Sequence, residues 1–134
     1  MKASAWCCAP SFVRRAVIVD DNESIRMVLR AIVRQAGLQV VGEARDGNSA
    51  LEVIERCNPD LVCLDVLMPG RDGIEVLGEL KRRRPHVRVL MITGKADRET
   101  VETMIREGAS GIVVKPFNAA RVIETIRRAF GLAN

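Results

Sequence analysis

Five side chains in this 134-residue sequence could do chemistry together: Asp20, Asp21, Asp65, Thr93 and Lys115. They follow short apolar runs at 16–19, 61–64, 88–92 and 112–114. Two carboxylates about 5 Å apart at an effective dielectric near 20 repel by roughly 3 kcal/mol. Three of them together approach the whole ~5–15 kcal/mol stability of a domain. Such a cluster needs compensation, and Lys115 can neutralise one charge. A divalent cation with oxygen ligands can balance the rest, as Mg2+ does in small sites of one or two carboxylates, waters and a phosphoryl group. An Asp carboxylate is also a nucleophile towards phosphorus. Metal, ammonium and hydroxyl would then stabilise the phosphoryl oxygens. Asp65, single and lying between the two acids and the Thr93 and Lys115 pair, is the expected nucleophile.

These residues need elements that bring them to one place. The apolar runs at 16–19, 39–44, 61–64, 88–92 and 112–114 are mostly continuous, the pattern of strands buried on both faces of a parallel sheet. Between them lie helical stripes, such as Ile25, Val28, Leu29, Ile32 and Ala36, or Val122, Ile123, Ile126 and Phe130. Asn22, Asn48, Asp97 and Asn118 are candidate N-caps, and Gly37 and Gly108 candidate helix stops. Strict alternation of five strands and five helices predicts a doubly wound α/β fold. In that fold ligands bind beyond the carboxyl ends of the strands, where the five side chains fall.

Composition narrows the alternatives. The length fits one domain, and 48% hydrophobic with 28% charged residues is a globular balance. No run approaches the ~18 apolar residues of a membrane span. Aromatics are only 3% with no Tyr, which argues against a reader of single-stranded nucleic acid that stacks bases on rings. A net charge of +4 does not demand a nucleic-acid partner. The basic run from Lys81 to Arg84 reads as a solvated helix C-terminus before Pro85. The single histidine, His86, reads as a loop residue and rules out a two-His zinc site. Cys7, Cys8, Cys57 and Cys63 form no Cys-x-x-Cys pair, and reduced thiols predict a cytoplasmic protein. Residues 1–14 are expected to form an irregular arm rather than a signal peptide, and residues 15–134 the domain.

Taken in order, Asp20 and Asp21, the segment Asp65-Val-Leu-Met-Pro-Gly-Arg-Asp-Gly73, Thr93-Gly94 and Lys115-Pro116-Phe117 resemble the motifs of the receiver domain of two-component response regulators, including chemotaxis regulators. The resemblance covers nearly the whole chain, and the spacings between motifs suit the family with little or no insertion. It implies a flavodoxin-like (βα)5 sheet in the order 2-1-3-4-5 and a phosphoacceptor at Asp65. It also implies Mg2+ (or Mn2+) held by Asp20, Asp21, Asp65 and the Leu67 backbone carbonyl. Thr93 and Lys115 would meet the phosphoryl group, and the bond from Lys115 to Pro116 resembles one that is cis in the family. The implied phosphoryl donor is a histidine kinase or a phosphotransfer protein. The implied output is docking of an effector protein on the face of the fourth helix, fifth strand and fifth helix. Such a protein is not an enzyme in the ordinary sense, although it catalyses its own phosphorylation and dephosphorylation.

Three positions set this chain apart. Ile112 stands where the family usually has Tyr or Phe, so the switch is expected to rest on Thr93 and its loop rather than on an aromatic rotamer. Leu67 and Lys95 occupy places thought to tune dephosphorylation, and an apolar Leu67 should hinder an attacking water. An aspartyl-phosphate hydrolase would need an Asp-x-Asp pair, and a nucleotide module a Gly-rich loop after the first strand; neither is present. The segment from Val40 to Gly47 resembles receivers attached to DNA-binding output domains, so the alternative is the receiver module of a transcriptional regulator whose output domain is absent from this chain.

Overall fold

Ala16, Val17, Ile18 and Val19 are at most 1% exposed, so the first strand is covered on both faces, as its unbroken apolar run requires. The computed structural model describes residues 13–132. Its strands are β1 (Arg15–Val19), β2 (Gln39–Ala44), β3 (Leu61–Leu64), β4 (Arg88–Thr93) and β5 (Gly111–Val114). They form one sheet in the order β2-β1-β3-β4-β5, with every pairing parallel. The helices α1 (Glu23–Gln35), α2 (Gly47–Cys57), α3 (Gly73–Arg83), α4 (Arg98–Arg106) and α5 (Ala119–Ala129) alternate with the strands. No helix among the described residues is long and apolar enough to cross a membrane. The expected arm over residues 1–14 lies outside the described residues as far as residue 12.

Alternation along each strand divides the core in two. Val17, Val19, Val62, Leu64, Val89 and Met91 face α2, α3 and α4, meeting Ile54, Leu77, Leu80 and Met104. Ala16, Ile18, Leu61, Cys63, Leu90 and Ile92 face α1 and α5, meeting Leu29, Ile32, Val33, Val122 and Ile126. Cys63 is thus a small core residue, and burial pushes its thiol up to about 12. The α1 stripe is rotated from the expected one. Val28 is 48% exposed and Val33 fully buried, so the core seam follows Leu29, Ile32 and Val33.

Each of the five helices begins at a side-chain cap: Asn22, Asp46, Asp72, Asp97 and Asn118 accept from backbone N–H groups of the first turn. Such a cap contributes about 1 kcal/mol. The cap of α2 is Asp46, not Asn48. Its carboxylate accepts from Ser49 N at 2.8 Å and from Ser49 Oγ at 2.8 Å, and a helix starting at Gly47 already contains Asn48. The basic run ends α3 as expected, with Lys81, Arg82 and Arg83 in its last turn and Arg82 and Arg83 exposed, but its two ends do more. Lys81 Nζ donates to the Pro85 and Val87 carbonyls, both at 2.9 Å, and Arg84 donates to Asn58 Oδ1 at 2.6 Å. Lys81 and Arg84 thus also tie down the turn after α3.

Gly73 carries a steric constraint that reaches the site. A Cβ there would lie 1.9 Å from the Asp65 carbonyl oxygen and 2.8 Å from Val66 Cα, both backbone atoms that cannot swing aside. Gly73→Ala is therefore expected to displace the loop after β3 and to destabilise the fold by about 1–3 kcal/mol, as overpacking does. Thermal unfolding followed by circular dichroism checks this; an unchanged midpoint would show that the loop yields freely.

Candidate functional site

The sheet order makes β1 the switch point, its neighbours β2 and β3 leading away on opposite sides. Val19 is paired with Leu64, so Asp20 and Asp65 leave adjacent strands side by side. Asp65 N donates to the Val19 carbonyl at 3.1 Å, and Asp20 N to the Ala44 carbonyl at 3.1 Å, extending the ladders to the two acids. At the other side Lys115 N donates to the Thr93 carbonyl at 2.8 Å. The Lys115–Pro116 peptide is cis.

Asp20 is 1% and Asp65 5% exposed, whereas Asp21 is exposed. One carboxylate oxygen from each of the three lies within 4.8 Å of the others. Lys115 Nζ stands 2.9 Å from Asp20 Oδ2 and 3.4 Å from Asp65 Oδ2. Asp20 Oδ1 accepts from Asn22 N at 2.9 Å, and Asp65 Oδ1 from Leu67 N at 3.4 Å. Burial, followed by the charge of Asp20, pushes the Asp65 carboxyl above the usual range against the opposing pull of Lys115. Burial of the Lys115 ammonium is outweighed by the Asp20 hydrogen bond and the two carboxylate charges, so Lys115 is held above its ordinary value.

The residues present fit a hard divalent cation. The donors are all oxygen, they converge from two strand ends, and three carboxylates with one ammonium leave two negative charges unbalanced. No nitrogen or sulfur ligand joins them among the described residues, which disfavours a zinc-type site.

The remaining expected residues are placed differently, and Ile112 lines a depression that holds none of Asp20, Asp21 and Asp65. Thr93 is fully buried, and its Oγ1 accepts from Lys95 N at 3.0 Å. Leu67 is 61% exposed and Lys95 is exposed, and their backbone N–H groups donate to Asp65 Oδ1 and Thr93 Oγ1 respectively. Ile112 is half-buried on β5, opposite Met91, and packs against the core on the α4 side. With Val114, Phe117 and Arg121 it lines an open depression of about 450 Å3. α4 is thinly packed: only Thr100 and Met104 are buried, and Ile105 is 61% exposed.

One cluster next to the acids is absent from the sequence reading. Arg26 Nη1 donates to the Asp20 backbone carbonyl at 2.6 Å, while Arg26 Nε donates to Glu43 Oε1 at 3.2 Å. Arg30 Nε donates to Glu43 Oε2 at 2.7 Å. The Arg30 hydrogen bond, helped by Arg26 and opposed by burial, holds Glu43 below the usual carboxylate range. The signal was available: Glu43 is the only charged residue of β2, and two arginines one helical turn apart face it.

A flavodoxin-like sheet with an acidic, lysine-compensated cluster beyond its central strands is the CheY-like arrangement. The chain belongs to the response regulator receiver domain family, whose pattern matches residues 16–127. It is 34% identical to the chemotaxis protein CheY of Thermotoga maritima, over 86% of this chain and 96% of that protein. It is 40% identical to the transcriptional regulatory protein PdtaR of Mycobacterium tuberculosis, over 87% of this chain and 56% of that protein. Among solved structures it resembles a chain of the CheX–CheY–BeF3–Mg2+ complex from Borrelia burgdorferi, with a TM-score of 0.85, 28% identity, and coverage of 91% of this chain and 93% of that one.

Proposed function

We propose that this receiver accepts a phosphoryl group on Asp65 from the phosphohistidine of a kinase or phosphotransfer protein and thereby changes its affinity for a downstream protein. The observation that supports the reading is the ion triad of Asp20, Asp65 and Lys115, in which one ammonium lies within hydrogen-bond reach of both carboxylates. The P–N bond of the donor breaks as the bond from Asp65 to phosphorus forms, and the imidazole leaves. Lys115 turns from the two carboxylates to the arriving phosphoryl oxygens. Thr93 Oγ1 accepts from Lys95 and keeps its own hydrogen to donate to a phosphoryl oxygen. Mg2+ (or Mn2+), held by Asp20, Asp21, Asp65 and the Leu67 carbonyl, would supply electrostatic stabilisation of the phosphoryl charge.

Recruitment of Thr93 pulls on the loop leading to α4, whose thin packing makes it the element least costly to move. The output face is that of α4, β5 and α5, with Ile112 in place of a rotating ring. Phosphorylation biases an equilibrium between two forms of this face. The setting is cytoplasmic, with residues 15–134 as the working unit and the phosphoprotein as the signal. A second reading, the receiver module of a transcriptional regulator, is favoured by the likeness to PdtaR, in which the matching stretch is 56% of the protein. On either reading no DNA contact is assigned to this domain.

Incubation with acetyl phosphate and Mg2+, followed by intact mass, tests the proposal. Wild type should gain one phosphoryl group and Asp65→Ala none; no gain in wild type, or equal gain in both, would overturn it. The exposed apolar side chain of Leu67 offers a water no hydrogen bond, so the aspartyl phosphate is expected to be long-lived. Leu67→Asn should speed phosphate release by about tenfold, less than the roughly hundredfold a well-placed base contributes. Release at the wild-type rate, measured by mass after removal of the donor, would count against Leu67 as a barrier.

A further inference from the structure

The acidic pair sits on a loop whose backbone is held from outside the cluster. Asp20 is the last residue before α1 for which the strand ladder supplies a bond, through its N–H to Ala44. Its carbonyl points away from the ladder and accepts from Arg26 at 2.6 Å. Arg26 is one of the less exposed charged side chains, 15% accessible, and its guanidinium bridges that carbonyl and Glu43 on β2. Glu43 is fixed in turn by Arg30, which donates from both Nε and Nη2 to its two oxygens, at 2.7 and 3.3 Å. The planar fork of Arg26 thus joins the loop after β1 to the neighbouring strand, a connection that a lysine, as a point donor, would not make in both directions.

We infer that Arg26 is a positioning residue for the Asp20 and Asp21 pair, anchored by Glu43, and that this bridge sets the affinity of the site for a divalent cation. The inference rests on the function proposed above. Fixing the Asp20 carbonyl fixes the peptide that leads to Asp21, whose side chain is exposed and has no other restraint from the cluster than its backbone. Pre-organisation of that carboxylate lowers the ordering cost of taking up an ion. Glu43 also offsets the Arg26 charge, which would otherwise repel a cation a few bonds away. Positioning and charge therefore make opposite predictions for Arg26. Removing a mere positive charge tightens cation binding, whereas removing a positioning fork weakens it.

Titration calorimetry of Mg2+ into the full chain at fixed ionic strength separates these. Arg26→Met should weaken Mg2+ by about tenfold, at the low end of what outer partners of metal ligands contribute. Glu43→Gln should weaken it less, and the double variant no more than Arg26→Met alone, because both act through one bridge. A circular dichroism spectrum and unfolding midpoint close to those of wild type should show that Arg26→Met is folded, which a globally damaged protein would not give. Should Arg26→Met fail to fold, Arg26→Lys keeps the charge without the fork and is expected to weaken Mg2+ as well. Affinity equal to or tighter than wild type in the folded variant overturns the inference. Wild type that takes up no Mg2+ overturns the proposed function itself, so the two failures are distinguishable.

Discussion

Asp65→Asn is expected to abolish phosphoryl acceptance while making the metal-free protein more stable. The loss follows because an amide is no nucleophile towards phosphorus and nothing else in the cluster replaces it. The gain follows from the folded state. Asp65 is 5% exposed beside Asp20, and burial and that charge raise its carboxyl above the usual range. A carboxyl whose folded value is raised opposes folding wherever it is ionised. At neutral pH the full penalty is present, and as pH falls through the raised folded value the native state takes up the proton first and the penalty disappears. The variant should therefore exceed wild type by about 1 kcal/mol near neutrality, with the gap closing as pH falls towards the ordinary aspartate range. Urea unfolding across that range checks the trend; a variant less stable than wild type at neutral pH would contradict the electrostatic account of the cluster.

Lys115→Met should separate the two halves of the site's chemistry. Lys115 stands 2.9 Å from Asp20 and 3.4 Å from Asp65, and with it gone the carboxylates have no counter-ion. Two unit charges about 4 Å apart at an effective dielectric of 20 interact by ~4 kcal/mol, so the extra negative charge strengthens the pull on a divalent cation even after screening. Mg2+ should bind roughly tenfold tighter. Phosphorylation by acetyl phosphate should nevertheless slow by about a hundredfold or more at saturating Mg2+, because the ammonium meant for the phosphoryl oxygens is missing. Calorimetry and the initial rate of mass gain read the two effects independently. Weaker Mg2+ binding together with an unchanged rate would place Lys115 outside the reaction.

How much of this was legible beforehand differs between fold and site. The five strands are legible because most are short, nearly continuous apolar runs, and their ends differ from the expected ones by a residue at most. The convergence of Asp20, Asp65 and Lys115 followed from topology, since strand ends of a parallel sheet lie on one side. The rotation of the α1 seam did not, because Val28 and Val33 are chemically alike and only packing against Ala16 and Ile18 chooses between them. The cap at Asp46 was hidden by Asn48, an equally good capping residue two positions later. The bridge of Arg26 and Glu43 is legible only in part: Glu43 stands out as the charged residue of β2 and Arg26 and Arg30 as a pair one turn apart, but only the packing of α1 on β2 shows that they meet. The basic run from Lys81 to Arg84 is legible as a solvated helix end, whereas the bonds of Lys81 are not, because the carbonyls it binds belong to a turn whose path composition does not specify.

The central claim is that one carboxylate, Asp65, forms the acyl phosphate. The most direct measurement is to treat the acetyl-phosphate-loaded protein with borohydride, which reduces an acyl phosphate to an alcohol, and to locate the altered residue by peptide mass sequencing. The expected result is reduction at Asp65 alone, present with Mg2+ and absent when the cation is chelated. Reduction at Asp20, Asp21 or any other acid, or label that forms equally well without a divalent cation, would contradict the account.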